Sequence, residues 1–461
     1  MGFIRKIIFV IVTISIVLIG IKIHDLLFQE PPLPVLENVW WGPGAESKVD
    51  TSIRPFKINV PQKVLDDLEQ RLKKARQFTP PLETIQQQYG INTELLSEIT
   101  EFWTTRYDWR QRERWLNEYP QFKTNIQGLD IHFVHVKPEA AAGRKVLPLL
   151  MLHGWPGSFR EFYGVIPLLT RPKEGRDFVF ELVIASLPGY GFSQGAAKPG
   201  LGALQSAVIF KNLMERLGFK KYYLHGGDWG AAIVTAMSSM YPDTVLGMHS
   251  TMCFDDSASS TIKMILGSFY PSFIIDKKYE KKIYPISATL ERMLLEFGYM
   301  HLQATKPDTI GVGLNDSPVG LAAYILEKYI TWTNEDGKTM LDGGLKAKYS
   351  YAELLDTVMI YWVTNSITTS MRMYAESFNK AAMEFAGISV NVPTACTRYV
   401  NDIGYQPDSL LTSRYKNLVH TNDIDDGGHF AAFELPKVFA DDVWVAVEKI
   451  EMFYKSKKSS K

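Results

Sequence analysis

The run Tyr222-Tyr223-Leu224-His225-Gly226-Gly227-Asp228-Trp229-Gly230-Ala231-Ala232 sets one carboxylate among small residues. A strand that enters a sharp turn and leaves as a helix needs that composition, because bulky side chains close on either side of the turn residue would clash. Such a turn is a nucleophile elbow. It is usually built around serine, and here Asp228 takes the place. An Asp after a glycine turn is also an ordinary helix cap, so the reading depends on the rest of the constellation. Leu152-His153-Gly154-Trp155-Pro156-Gly157-Ser158 follows an apolar run, where an elbow fold builds half of its oxyanion hole. The backbone N–H groups of Trp155 and Trp229 would converge there on one oxygen. Asp426-Gly427-Gly428-His429-Phe430 lies near the C-terminus. Of nine histidines, His429 alone combines the chain order nucleophile, acid, histidine with a glycine-rich loop. The acid belongs on the loop after the preceding strand. Asp402 follows a strand ending at Val400 and is preferred over Asp408, Asp423, Asp425 and Asp426, the Asp423 cluster reading better as a solvated loop.

A carboxylate at the elbow selects the substrate carbon. A serine that opened an epoxide or displaced a halide would become an ether, which a neighbouring water could not cleave. Asp228 would form an ester, which water can hydrolyse at the enzyme's own carbonyl. The carboxylate is ionised at neutral pH and needs no base to attack. His429 is then free to deprotonate water in the second step, oriented by the acid. Epoxides and haloalkanes are the substrates this points to, rather than ordinary esters. An epoxide also needs an acid for its leaving alkoxide. Tyr299 and Tyr374 are the candidates for that role, among 22 tyrosines whose default role is packing.

The elements that would position these residues alternate. Ile131–Val136, Val146–Leu152, Phe180–Ala185 and Tyr222–His225 read as strands, and Phe159–Leu169, Gln205–Leu217 and Ala231–Met240 as helices. The alternation predicts a mostly parallel sheet covered on both faces, with the strand-end loops along one edge. Residues 255–370 break the pattern. They are helical and aromatic-rich and read as a lid inserted between the two halves of an α/β core, residues 121–254 and 371–461. Before the core, residues 29–120 hold a Pro-rich linker and a helical meander, with an amphipathic helix over Val60–Phe78, and are expected to pack outside it. The final helix spans Val438–Phe453, and the basic tail after it reads as a disordered end.

Fifty basic and fifty acidic side chains cancel, which removes any bulk-charge argument for nucleic acid. CxxC, HxxxH and HExxH are absent, so neither a metal nor a cofactor is implied. Cys253 and Cys396 are too few for a disulfide framework and fit a reducing compartment. Residues 1–28 contain the apolar run Ile7–Ile21, extended past Lys22, His24 and Asp25 by Leu26, Leu27 and Phe28, and read as a membrane anchor. A cleaved signal peptide is the rival reading, but no small-x-small cleavage site follows. Arg5 and Lys6 favour a cytosolic N-terminus, whereas Lys22 and the scarcity of cysteines pull the other way.

Together, HGWPGS at 153–158, LPGYGFS at 187–193, GGDWGA at 226–231, DSPVGLAAYILEK at 316–328 and GGHFAAFELP at 427–436 resemble the microsomal epoxide hydrolase family. The resemblance covers nearly the whole chain, and within the family it is nearest to the insect juvenile hormone epoxide hydrolases. It implies an α/β-hydrolase fold that adds water to an epoxide to give a vicinal diol. Asp228 would be the nucleophile, His429 the base, and Tyr299 and Tyr374 the acids. Asp402 stands where mammalian relatives usually carry Glu. The implied partners are a small lipophilic epoxide and, through the N-terminal helix, the membrane of the endoplasmic reticulum, crossed once with the catalytic part facing the cytosol. A general hydrolase of xenobiotic or lipid epoxides is the alternative. A haloalkane dehalogenase, with the Trp229 N–H on halide, is disfavoured by the lid tyrosines. An inactive ligand carrier is disfavoured by the presence of both Asp228 and His429.

Overall fold

A computed structural model describes residues 2–138 and 143–459. Among them are nine strands: β1 (Arg54–Phe56), β2 (Gln121–Ile126), β3 (Leu129–Val136), β4 (Lys145–Leu152), β5 (Phe178–Ala185), β6 (Tyr222–Gly226), β7 (Val245–Ser250), β8 (Thr394–Tyr399) and β9 (Leu418–Ile424). They form one sheet in the order β1-β2-β3-β5-β4-β6-β7-β8-β9. Every pairing from β5 across to β9 is parallel, and the pairings among β1, β2, β3 and β5 are antiparallel. The apolar run read as a buried strand is β4, at the centre, where Leu149 to Leu152 are fully buried. β6 lies beside it, so the loops carrying Trp155 and Asp228 leave adjacent strand ends.

Helix Ala203–Arg216 packs on helix Trp229–Met240, while helix Pro436–Ser459 packs beside Ile166–Thr170 and across β7, β8 and β9. This last helix continues through most of the basic tail, so the disordered end expected there is corrected as far as Ser459. Phe159–Leu169, read as one helix, is a 3-10 turn at Phe159–Phe162 and a short helix at Ile166–Thr170, with Gly164 between them.

Between β7 and β8 the chain runs through helices from Ala258 to Phe385. The insertion expected to end at residue 370 thus continues through helices Ile367–Ser377 and Lys380–Phe385, and the sheet resumes only at β8, not at residue 371. The N-terminal meander differs from expectation in two ways. Its first element, β1, joins the sheet edge. Its helices Gln62–Lys73 and Thr93–Thr105 pack on Pro318–Thr331 and Tyr351–Thr364 of the insertion. The tie is polar as well as apolar. Fully buried Asp356 of the insertion accepts from the Tyr107 hydroxyl at 3.1 Å and Arg112 Nε at 2.8 Å, both from the meander, and from Arg160 Nε of the core at 3.3 Å.

Cys253, just past β7, and Cys396, on β8, are joined by a disulfide across 143 residues of sequence. This corrects the reading of two reduced cysteines. Neighbouring strands of one sheet bring the side chains together, which sequence spacing does not reveal. The N-terminal apolar run lies in helix Gly2–Phe28, with Ile7, Ile8, Phe9 and Ile11 exposed. Among the described residues, no helix is long and apolar enough to cross a membrane.

Candidate active site

Asp228 sits between β6 and helix Trp229–Met240 with φ 49° and ψ −128°. A non-glycine residue held there costs on the order of 1–3 kcal/mol, which the surroundings must offset. The neighbours are small because the backbone closes on itself: a Cβ on Gly226 would stand 2.3 Å from the Gly230 carbonyl oxygen, and one on Gly230 would stand 2.2 Å from that of Leu152. Asp228 makes no cap bond to its own helix, which removes the ordinary helix-cap reading. Its side chain turns instead to the loop after β4, where Trp155 N–H donates to Oδ1 at 2.8 Å. A Cβ on Gly154 would fall 2.0 Å from that same oxygen. Trp229 N–H opens the helix and therefore has no intrahelical acceptor. The loop itself is held by His153, whose Nδ1–H donates to the Gly154 carbonyl at 2.9 Å while Nε2 accepts from Leu187 N–H at 3.3 Å. Burial lowers this imidazole to about 4, so it stays neutral.

His429 comes from the loop after β9. Its Nε2 lies 3.4 Å from Asp228 Oδ2, and its Nδ1 donates to Asp402 Oδ1 at 2.8 Å. Asp402 stands just past β8, buried, and also accepts from Ile403 N–H at 2.7 Å. The four alternative acids are engaged elsewhere. Arg398 binds Asp408 at 2.6 Å and Asp423 at 2.8 Å, Lys278 binds Asp425 at 2.6 Å, and Lys348 binds Asp426 at 2.8 Å. Burial opposes a charged His429, but the carboxylates of Asp402 and Asp228 outweigh it and raise the imidazole to about 10. With Asp228 ionised, His429 is thus an imidazolium at neutral pH. Loss of the Asp228 charge would remove one of the two attractions and make the imidazole a better base.

Tyr299 and Tyr374 arrive from insertion helices Gly298–Thr305 and Ile367–Ser377. Their rings meet edge-on at 6.0 Å. Tyr299 stacks on Trp155 at 5.3 Å and Tyr374 meets the Trp229 ring at 4.8 Å, so both phenols stand on the two tryptophans that flank Asp228. Burial is the main cause that raises both phenols above their ordinary value, with the Asp228 charge adding to it. They therefore remain proton donors throughout the neutral range. The buried Tyr374 hydroxyl and Trp229 Nε1 face each other without a hydrogen bond of good geometry.

This arrangement lets a carboxylate attack a carbon, with acids opposite and a base behind. Residues 53–162 match the family model described as the epoxide hydrolase N terminus, and residues 148–386 match that of the alpha/beta hydrolase fold. Juvenile hormone epoxide hydrolase 1 of Ctenocephalides felis is 55% identical over 94% of this chain and 93% of its own. The chain belongs to the epoxide hydrolase family. Epoxide hydrolase 1 of Sus scrofa is 44% identical over 89% of this chain and 92% of its own. The crystal structure of juvenile hormone epoxide hydrolase from the silkworm Bombyx mori superposes with a TM-score of 0.89 at 47% identity, covering 91% of this chain and 100% of that one.

Three residues of this epoxide hydrolase escaped the sequence reading. Both oxygens of buried Glu434 accept backbone N–H groups flanking the histidine, from Gly428 at 2.7 Å and Phe430 at 2.9 Å. The Trp332 carbonyl accepts from His429 N–H at 2.8 Å, tying the histidine loop to the insertion. Glu161 lines one small cavity together with Asp228 and His429. For Glu434, the signal available was an acid five residues after the histidine inside an otherwise apolar run. Trp332 and Glu161 carry none, since only the fold brings them near.

Proposed function

We propose that Asp228 attacks an epoxide carbon while Tyr299 and Tyr374 donate to the epoxide oxygen, giving an alkyl ester on Asp228. Oδ2 is the attacking oxygen, because Oδ1 is held by Trp155 N–H and Oδ2 is the one beside His429. Ring opening consumes one proton: a phenol gives it to the epoxide oxygen and is reprotonated at the expense of the His429 imidazolium, which leaves His429 neutral. In the second step His429, oriented by Asp402, takes a proton from water. The water attacks the Asp228 Cγ, and the Trp155 and Trp229 N–H groups hold the charge that develops on Oδ1. The Cγ–Oδ2 bond breaks, and Oδ2 leaves with the diol. The observation that carries this reading is the alignment Asp402–His429–Asp228 at 2.8 and 3.4 Å, with a backbone donor on the far carboxylate oxygen.

Juvenile hormone, or its acid, is the proposed substrate, supported by the 55% and 47% identity to the flea and silkworm enzymes and by the aromatic walls of the site. The helices of residues 258–385 act as the lid that supplies the phenols. The helix of residues 2–28 attaches the enzyme to the endoplasmic reticulum, a reading supported by its exposed Ile7, Ile8, Phe9 and Ile11 and by the similarity to the mammalian relatives, while no described helix is long and apolar enough to cross the membrane.

The test is a single turnover in ¹⁸O-water with a juvenile hormone epoxide. The expected result is label in the peptide carrying Asp228 and an unlabelled diol, because both diol oxygens come from the epoxide and the old carboxylate. Label in the diol with none in Asp228 means direct attack by water and overturns the covalent reading. A kcat/KM for styrene oxide equal to that for juvenile hormone would overturn the substrate assignment.

A further inference from the structure

Ester hydrolysis needs a water placed against the Asp228 Cγ, and the groups assigned so far supply a base but no seat. A cavity of about 30 Å³ lies beneath the elbow, lined by Asp228, His429, Glu161, Thr251, His225 and Gly227 among others. One water needs roughly 10–15 Å³ of such space and two to four polar partners. Glu161 sits in the 3-10 turn Phe159–Phe162, immediately after the oxyanion loop. The Ser158 N–H approaches this carboxyl, but its Oε1 is inaccessible to solvent and makes no hydrogen bond of good geometry within the protein. The approach is built in, because a Cβ on Gly157 would stand 1.9 Å from that oxygen. A buried acceptor without a partner is costly, about 1–3 kcal/mol, and is retained where it has a use.

We propose that Glu161 is a positioning residue for the hydrolytic water, its free Oε1 accepting one O–H while His429 Nε2 takes the other proton. The water's lone pair is thereby turned toward the Asp228 Cγ. One water proton moves to His429, the C–O bond to water forms, the Cγ–Oδ2 bond breaks, and the second water proton passes to Oδ2 as it leaves in the diol hydroxyl. Asp228 is left as a carboxylate, while Glu161 keeps its own proton state. Burial, helped by the Asp228 charge and opposed by His429, raises the Glu161 carboxyl to about 8. It is therefore neutral at pH 7, and a neutral amide can replace it. The role belongs to the second step only, since nothing in the attack on the epoxide uses this cavity.

The inference rests on the covalent reading above, and the experiment separates the two. Rapid-quench mass spectrometry follows the substrate adduct on Asp228 in the full-length enzyme, its His429→Gln variant, Glu161→Leu and Glu161→Gln. His429→Gln should trap the adduct; if it forms none, the covalent reading falls and this inference with it. Glu161→Leu should form the adduct at the wild-type rate, which also shows that it folds. It should then lose the adduct more slowly by about 10- to 100-fold, the scale of a misplaced reactant. Its kcat and KM should fall together, leaving kcat/KM unchanged, and Glu161→Gln should restore hydrolysis. If Glu161→Leu hydrolyses its adduct at the wild-type rate, or slows both steps equally, Glu161 does not seat the water although the covalent reading stands.

Discussion

At the scale of single residues, the division of labour depends on charge. Under the proposed mechanism the His429 imidazole, 3.4 Å from Asp228 Oδ2 and raised to about 10, is held out of use as a base until Asp228 is alkylated. The phenols are tuned the other way, kept protonated by burial and by the nearby carboxylate. If they serve only to protonate the leaving alkoxide, they matter for epoxides and not for leaving groups that depart as stable anions. Tyr299→Phe and Tyr374→Phe should each slow adduct formation from an epoxide by about 10- to 100-fold, and the double variant by more, in keeping with the 10²–10⁴-fold usual for acid catalysis. Adduct formation from a primary alkyl iodide of similar length should change little in the same variants. Rapid-quench measurement with both substrates checks this, and full epoxide activity in the double variant would remove both tyrosines from the mechanism. Most of this residue set was legible in the sequence, because the elbow, the oxyanion loop and the histidine loop are each contiguous and rich in glycine. Asp402 was separable from its four rivals only in three dimensions, where Arg398, Lys278 and Lys348 take the others.

At the scale of elements, periodicity revealed the strands that are long and buried and missed those that owe their existence to a partner. β1 is Arg54-Pro55-Phe56, too short to alternate, and it is a strand because β2 pairs with it. β7, Val-Leu-Gly-Met-His-Ser, carries Gly247 in its middle, where a Cβ would meet Ile450 and the Pro393 carbonyl within 3 Å. Close packing against helix and loop chose that glycine, at the expense of a readable strand pattern. The docking of the N-terminal meander on the insertion was likewise invisible, because its polar centre joins residues more than 200 apart in sequence. Asp356 is that centre. Removing its carboxylate leaves the Arg112 and Arg160 guanidinium groups and the Tyr107 hydroxyl without their buried acceptor. Asp356→Ala should cost about 3–5 kcal/mol, the usual penalty for breaking a buried ion pair from one side. It should also make the meander more susceptible to limited proteolysis than the β4–β6 core. Thermal denaturation and timed proteolysis measure the two effects, and a variant with wild-type stability would mean that apolar packing alone holds the meander.

At the scale of the whole molecule, the disulfide links the first half of the core to the second across the entire insertion. Cys253 follows β7 and Cys396 lies on β8, whose end carries Asp402. Cross-linking a chain over 143 residues removes unfolded-state entropy worth about 5 kcal/mol in the chain-entropy picture, an upper value where the unfolded state keeps structure. Spread over a chain of 461 residues, whose unfolding entropy is about 1 kcal/mol per kelvin, that corresponds to about 5 °C in the unfolding midpoint. Reduction of the purified enzyme under native conditions, followed by thiol capping, should therefore lower Tm by up to about that much, and Cys253→Ser/Cys396→Ser should reproduce the shift. A midpoint unmoved by reduction, with both thiols alkylated before it, would mean that the bond contributes nothing to stability. For the proposed attachment to the endoplasmic reticulum, the bond also bears on orientation. Thiols on the cytosolic side are kept reduced, whereas the lumen of the endoplasmic reticulum permits disulfides. A cytosol-facing catalytic part, as the family resemblance implies, requires Cys253 and Cys396 to be free in the cell. The lumenal placement favoured by Arg5 and Lys6 allows them to stay bonded. Alkylating intact microsomes with a permeant maleimide before lysis, then reducing and labelling any remaining cysteines with a second reagent, reads the side of the membrane from the state of one pair of sulfurs.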